Sequence, residues 1–480
     1  MRVSFSRGTL LLENASRCDV VDVFGDLPWQ WDARVRAWRV DALRYPGVHA
    51  NLARWNDALR GGEPLVSLPS GEQRKMVVDE VPTWQKIHWP RLQLKPLRPE
   101  QQAAVVAWNQ SGAGTIVMPT GTGKTEVALA IMAELSVSTL VVAPVRDLMY
   151  QWHRRIQNSL GYDAGIIGDN VFRVQPVSVT TYDSACIHME RLGNQFGLIV
   201  FDECHHLPGN MRRDAARMCA APFRLGLTAT LQRSDGRHSD LDDLIGPVAY
   251  ELKLAEVRGR TLADYEVVRV PIHLTPSEQS RYDRLSAEVR DYVAERRKTE
   301  PHFSWEQLCD ESSSTPQARH ALKSYRAKKA IEDRAAEKLR VLEDIFRLHC
   351  GEPCLIFAGS NAMARDVSRR FLIPCLLNHC GKRERREVLE GFETGVYPAI
   401  VANQVLDEGV DMPAVKVAVV LGGNASTRQA KQRLGRVLRK SGNLRAVLYE
   451  IVCRDTNEET RSRRRRASDA YEGTKHRKDV

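Results

Sequence analysis

Met118-Pro-Thr-Gly-Thr-Gly-Lys-Thr125 stands between an apolar run, Thr115-Ile-Val117, and a helix-forming one, Glu126-Val-Ala-Leu-Ala-Ile-Met-Ala-Glu-Leu135. Strand, glycine turn, helix is the context that a phosphate-binding loop requires. Glycines let successive backbone N–H groups turn toward phosphate oxygens, and the start of the helix adds its partial positive charge. Thr120, Gly121, Thr122 and Gly123 are the expected cradle. Lys124 is expected to neutralise the β/γ oxygens and the Thr125 hydroxyl to hold Mg²⁺. Met118 occupies the place of the usual first glycine. A plain glycine turn between strand and helix is the weaker reading.

Downstream by 202 − 124 = 78 residues lies Leu198-Ile-Val-Phe-Asp-Glu-Cys-His-His206. An apolar strand ending in two carboxylates puts Asp202 within reach of Mg²⁺ and Glu203 where it can orient or deprotonate water. Alone, such a strand end is as often mere surface. At this distance from a phosphate loop it reads as catalytic.

Working outward, short apolar runs recur with helix-like polar stretches between them. Thr139-Leu-Val-Val-Ala-Pro144 and Arg224-Leu-Gly-Leu-Thr228 complete one block with those above. Cys354-Leu-Ile-Phe357, Ala399-Ile-Val-Ala402, Val415-Lys-Val-Ala-Val-Val-Leu421 and Ala446-Val-Leu-Tyr-Glu-Ile-Val452 form a second. Continuous apolar strands alternating with helices are the pattern of buried parallel sheets. The expected fold class is therefore α/β, with two parallel-sheet domains over residues 90–260 and 341–455. Residues 270–340 turn helical and charged, with a capping box at Thr275-Pro-Ser-Glu278 and a loop expected over 301–318. Residues 1–85 form a small α+β domain carrying Trp29, Trp31, Trp38 and Trp55. The first three tryptophans could stack on distorted bases or fill a small core. Residues 456–480 read as a basic, disordered tail.

Hydrophobic residues make up 43% and charged residues 27%, which excludes a wholly disordered or fibrous chain. No apolar run reaches the ~18 residues of a bilayer span, and the N-terminus is a poor secretory signal, so a cytoplasmic location and no membrane partner are expected. The net charge is 70 − 60 = +10, and Arg461–Val480 alone holds eight Lys/Arg against three Asp/Glu. Such a balance permits nucleic-acid binding without requiring it; the tail either attracts phosphates or merely solubilises. The ten cysteines include no CxxC pair. Cys350, Cys354, Cys375 and Cys380 read as small apolar residues rather than zinc ligands.

Asp-Glu-Cys-His resembles the DExH signature of superfamily 2 helicases, and further motifs follow in order. Leu97-Arg-Pro-Glu-Gln101 resembles the adenine-side glutamine motif, which assigns Arg98 and Gln101 to nucleotide binding. Val142-Ala-Pro-Val-Arg-Asp-Leu148 and Val179-Thr-Thr-Tyr-Asp-Ser184 resemble strand-contacting motifs, implicating Arg146 and Thr181. Leu227-Thr-Ala-Thr230 resembles the coupling motif. Val405-Leu-Asp-Glu-Gly-Val-Asp-Met-Pro413 and Gln432-Arg-Leu-Gly-Arg-Val-Leu-Arg439 resemble motifs five and six. By that resemblance Gly409 and Asp411 touch nucleotide, and Gln432, Arg436 and Arg439 act on the γ-phosphate. Helical spacing independently puts the last three on one face.

Phe223–His238, Phe201–Pro208 and Gln404–Asp411 are similar to the xeroderma pigmentosum group B (XPB) type, and the likeness covers most of the chain. It implies two RecA-like motors in tandem, an N-terminal DNA-damage-recognition-like domain, a helical thumb, ATP and Mg²⁺ as cofactors, and 3′-to-5′ action on duplex, forked or damaged DNA in repair, with a nuclease as a candidate partner. The family's Arg-Glu-Asp triplet aligns with Arg233-Ser234-Asp235, assigning Arg233 and Asp235 to DNA and leaving strand separation without its central carboxylate. Other readings are a restriction or phage-defence motor, an RNA helicase, and, in another class, a non-catalytic nucleic-acid clamp.

Overall fold

The structure is a computed structural model that describes residues 1–25, 27–61, 76–231, 236–253, 256, 265–377, 379–403, 415–422 and 446–466. It divides into two compact units, Met1–Lys253 and Leu254–Val480.

The first unit is built on an eight-stranded sheet. Its order is Val248–Glu251, Ala113–Val117, Phe223–Thr228, Leu198–Asp202, Thr139–Ala143, Val177–Thr181, Gly165–Gly168, Val171–Arg173. Neighbours are parallel except the last pair, an antiparallel hairpin. Leu198–Asp202, Thr139–Ala143 and Val177–Thr181 are buried at every position, because helices cover both faces. Pairing matches Val117 with Thr228, Leu227 with Asp202, Phe201 with Val142, and Ala143 with Thr181. The motif-bearing strand ends are therefore level along one edge of the sheet. Of the strands not anticipated, Gly165–Gly168, Val171–Arg173 and Val248–Glu251 are short and partly exposed, whereas Val177–Thr181 is fully buried and lacks an unbroken apolar run because of Ser178, Thr180 and Thr181.

A five-stranded sheet precedes it, ordered Gln30–Asp32, Ala37–Asp41, Thr9–Glu13, Arg2–Ser6, Val78–Asp79. Trp29 and Trp55 lie in its core, each 8% exposed, whereas Trp31 is 51% exposed with its ring 5.4 Å from that of Trp38. Core packing thus accounts for Trp29 but leaves a face of Trp31 in solvent. Arg217 bonds Asp41 at 2.8 Å, tying this sheet to the first motor.

The second unit carries a six-stranded, wholly parallel sheet. Its order is Tyr265–Ile272, Ala446–Cys453, Val417–Val420, Cys354–Phe357, Ala399–Ala402, Cys375–Leu376. Tyr265–Ile272 lies outside the 341–455 expected for the second motor. Its Glu and Arg interrupt the apolar run, as suits an edge strand. The helical segment is therefore an insertion after the first strand of this sheet. The two units together are tandem RecA-like motors with a small N-terminal α+β layer and a helical insert.

Within the insert, Thr275 and Glu278 close the anticipated capping box and start helix Pro276–Thr299. The loop expected over 301–318 is corrected: Ser304 and Gln307 form a second capping box, and Trp305–Ser314 is helical, followed by Pro316–Asp333. A run of serines at that helix's end hid it. The tail is corrected as well, since Asn457–Arg466 is a helix. Its Glu458 and Ser462, four residues apart on one face, are completely buried. Glu458 accepts from Lys338 Nζ at 2.8 and 2.9 Å, and Ser462 donates to Glu450 at 2.8 Å. Two inward polar residues with partners outweigh an arginine-rich composition. Residues 467–480 lie outside the described residues.

Candidate nucleotide-binding site

Helix Lys124–Leu135 opens from Gly123, which has a left-handed φ of 85°, and Gly121 has φ 87°. The positive φ values turn the loop's N–H groups inward at little cost only because both residues are glycine. A Cβ on Gly123 would stand 2.3 Å from Gln101 Nε2. That amide donates to Thr122 O at 2.8 Å, and Arg98 also donates to Thr122 O. Helix Pro99–Asn109, whose first turn carries Gln101, thus grips the loop from one side. Lys124 Nζ reaches back to Met118 O at 3.1 Å, and the Thr122 hydroxyl donates to Pro119 O at 2.7 Å. Thr120 Oγ1 is buried with no partner among the described residues, so a ligand oxygen would complete it. These features fit a nucleoside polyphosphate. The hard oxygens of Thr125 and Asp202 suit Mg²⁺.

Asp202 ends strand Leu198–Asp202 and is 9% exposed. Its Oδ2 accepts the indole N–H of Trp152 at 2.8 Å, and its Oδ1 accepts the Glu203 N–H at 3.0 Å. Burial, with the Glu203 charge adding to it, pushes its pKa up to about 6. Trp152, the Lys124 ammonium and the Glu203 N–H pull the other way. Glu203 is non-glycine at φ 48°, ψ 52°, a left-handed conformation costing ~1–2 kcal/mol. That conformation breaks the strand after Asp202 and starts the turn Cys204–His206.

His205, fully buried, lies 3.4 Å through Nδ1 from Glu203 Oε2 and 3.0 Å from Thr228 Oγ1. The Thr228 hydroxyl donates to Thr230 O at 2.8 Å and accepts from Thr230 N at 3.2 Å. Its hydrogen is therefore spoken for, and it accepts from His205 Nδ1–H. The Nδ1 hydrogen thus goes to Thr228 and ties His205 to the Leu227–Thr230 segment, while Glu203 Oε2, buried with no hydrogen-bond partner among the described residues, stands 3.4 Å from the same nitrogen. Thr181 caps helix Tyr182–Leu192, and Tyr182 OH donates to Asp202 O at 3.0 Å. Arg146 begins helix Arg146–Leu160 and pairs with Asp169 at 2.6 Å, its side chain still 64% exposed.

The structure therefore brings Arg98, Gln101, Thr120, Gly121, Thr122, Gly123, Lys124, Thr125, Asp202 and Glu203 to one sheet edge, with Arg146 and Thr181 along it. Arg233, Asp235, Gly409, Asp411, Gln432, Arg436 and Arg439 lie outside the described residues. Trp152 was not anticipated, and His205 and Thr228 carried no role of their own within the DExH and coupling motifs. His205 sits inside the quoted DExH motif and could have been found there; an aromatic at a helical core spacing gives no such signal.

Residues 94–233 match the family model of the type III restriction enzyme res subunit, and residues 337–441 that of the helicase conserved C-terminal domain. Among solved structures, the Pyrococcus furiosus Hef helicase domain superposes with a TM-score of 0.52 at 18% identity, over 75% of this chain and 97% of that one, a likeness of fold. Fold and site define a superfamily 2 helicase with tandem motor domains. The DNA 3′-5′ translocase XPB2 of Sulfurisphaera tokodaii is 39% identical over 82% of this chain and 89% of its own length. The DNA 3′-5′ helicase XPB of Kineococcus radiotolerans is 30% identical over 79% of this chain and 64% of its own. The chain belongs to the XPB family of DNA helicases. Family membership implies the use of ATP. Among the described residues no helix is long and apolar enough to cross a membrane.

Proposed function

We propose that this protein is an ATP-dependent DNA helicase or translocase that moves 3′ to 5′ along DNA and serves DNA repair. The observation that carries the reading is the cluster of Glu203, His205 and Thr228, in which His205 bonds the coupling motif at Thr228 and stands 3.4 Å from the proposed hydrolytic carboxylate. Bound ATP with Mg²⁺ supplies the reactive phosphoanhydride and neutralises its charge. The protein's own part is positioning and electrostatics. The loop from Thr120 to Thr125 orients the phosphates, Lys124 neutralises the terminal oxygens, and Arg98 with Gln101 braces the loop on the base side. Thr125 and Asp202 are the metal-side oxygens. Glu203, held turned by its backbone, orients and deprotonates the attacking water. Gln432, Arg436 and Arg439 are the proposed charge-stabilising residues of motif six, with Gly409 and Asp411 beside the nucleotide. Arg146, Thr181, Arg233 and Asp235 are the proposed strand contacts, and residues 1–85 the proposed lesion-reading domain.

ATP turnover measured with duplex DNA, single-stranded DNA or RNA as stimulator tests the reading. DNA stimulation that Lys124→Ala abolishes supports it. RNA-only stimulation favours an RNA helicase, and no turnover with any of them favours a non-catalytic clamp.

A further inference from the structure

Helix Arg146–Leu160 touches the nucleotide pocket twice, although none of the motifs assigned to ATP lies on it. Trp152, 2% exposed, donates its indole N–H to Asp202 Oδ2 at 2.8 Å. One turn further, Arg155 pairs at 3.1 Å with Glu126, in the first turn of the phosphate-loop helix. Residues three apart share a helix face, so a single face grips both the carboxylate and the helix that carries Lys124. The same helix begins at Arg146, six residues or ~9 Å along its axis from Trp152.

A buried carboxylate that ligates a metal needs its plane fixed, and an outer hydrogen bond is the usual means. Asp202 has one donor on each oxygen. The Glu203 N–H belongs to the adjacent residue and turns with the strand end. Trp152 comes from another element and is the donor able to set the carboxylate rotamer independently. Each oxygen keeps a further lone pair, so the bond orients the carboxylate without occupying it.

We infer that Trp152 is a positioning residue. It aims the Asp202 carboxylate at the metal, and through its helix, with Arg155, it links the strand-contacting end at Arg146 to the nucleotide pocket. This rests on the proposed roles of Asp202 and Arg146.

The test uses equilibrium binding of fluorescent N-methylanthraniloyl-ADP to the full chain, with Mg²⁺ and with EDTA, and so does not depend on turnover. Trp152→Phe keeps the ring bulk and removes the N–H. Trp152→His loses the benzo ring but puts Nε2–H at the ring position of the indole nitrogen. Phe should weaken the Mg²⁺-dependent part of binding by ~10-fold or more and leave binding in EDTA unchanged, and His should restore it. A role in packing alone reverses that ranking and overturns the inference. Asp202→Asn separates the two levels. If it retains the full Mg²⁺ enhancement, the reading of Asp202 as metal ligand fails. If it loses the enhancement while Trp152→Phe keeps it, the positioning role fails. Should Trp152→Phe not fold, Trp152→His carries the test: retained enhancement supports the role, and lost enhancement overturns it. Duplex DNA should tighten Mg²⁺-nucleotide binding in the unaltered protein and not in Trp152→Phe; undiminished coupling in that variant overturns the link to Arg146.

Discussion

Replacing Lys338 by methionine removes a completely buried ammonium that holds three parts of the second unit together. Its Nζ donates to Leu421 O at 2.7 Å and to Glu458 Oε1 and Oε2 at 2.8 and 2.9 Å. Methionine matches the aliphatic stem, so little packing changes. What remains is a fully buried Glu458 whose Oε2 still accepts from Cys453 N at 3.0 Å, with Asp333 repelling it nearby. Removing one partner of a buried pair costs ~3–5 kcal/mol, because the remaining charge stays out of water. For a unit of this size, ~2–4 °C per kcal/mol gives a fall in Tm of ~6–20 °C. Calorimetry on the full chain, following the transition of the second unit, reads it directly. The reasoning also fixes the double variant: Lys338→Met with Glu458→Leu removes both members of the pair, leaves only the neighbouring Asp333 without the Lys338 cation, and should recover part of the loss. A single-variant loss under ~1 kcal/mol, or a double variant as unstable as the sum of the singles, refutes the argument.

Gly123→Ala adds a Cβ 2.3 Å from Gln101 Nε2 at a φ of 85° and should weaken nucleotide binding by ~10-fold or more. Gly351→Ala, at φ 84° with open space around it, is the control and should leave nucleotide affinity intact. Asp202 has a folded-state pKa of about 6, above its ordinary value of 3.8. Between those values the native metal-free state holds more protons than the unfolded one, so stability falls as pH rises through the window and the cost is complete above it. Asp202→Asn should therefore raise the Tm in EDTA at pH 8 by ~5 °C and not at pH 4; a gap independent of pH contradicts the assignment. Ser234→Glu, which supplies the missing central carboxylate of the triplet, should speed forked-duplex unwinding at unchanged ATP turnover; an unchanged unwinding rate counts against that role.

The parts of the site legible in the sequence are those whose chemistry is local. Gly121, Gly123 and Lys124 must fall within one short turn at a helix start to hold a phosphate, and Asp202 with Glu203 must end a strand, so spacing alone reveals them. The same holds for strands such as Thr139–Ala143, whose complete burial demands an unbroken apolar run. Tyr265–Ile272 and Val171–Arg173 escaped notice because an edge strand tolerates charge. Tertiary contacts were silent. Trp152 reaches Asp202 across 50 residues and Lys338 reaches Glu458 across 120, and nothing in either local segment announces the partner. Glu458 illustrates the limit best: within an arginine-rich tail its burial depends on a lysine in another helix and on the Cys453 N–H.

Displacement of a triplex-forming strand from duplex DNA, measured with ATP and Mg²⁺ and run beside Lys124→Ala, tests ATP-driven movement on DNA most directly. The account predicts displacement that requires hydrolysable ATP and disappears in the variant. Displacement equal in both proteins, or none by a protein that binds the duplex and hydrolyses ATP, would contradict it.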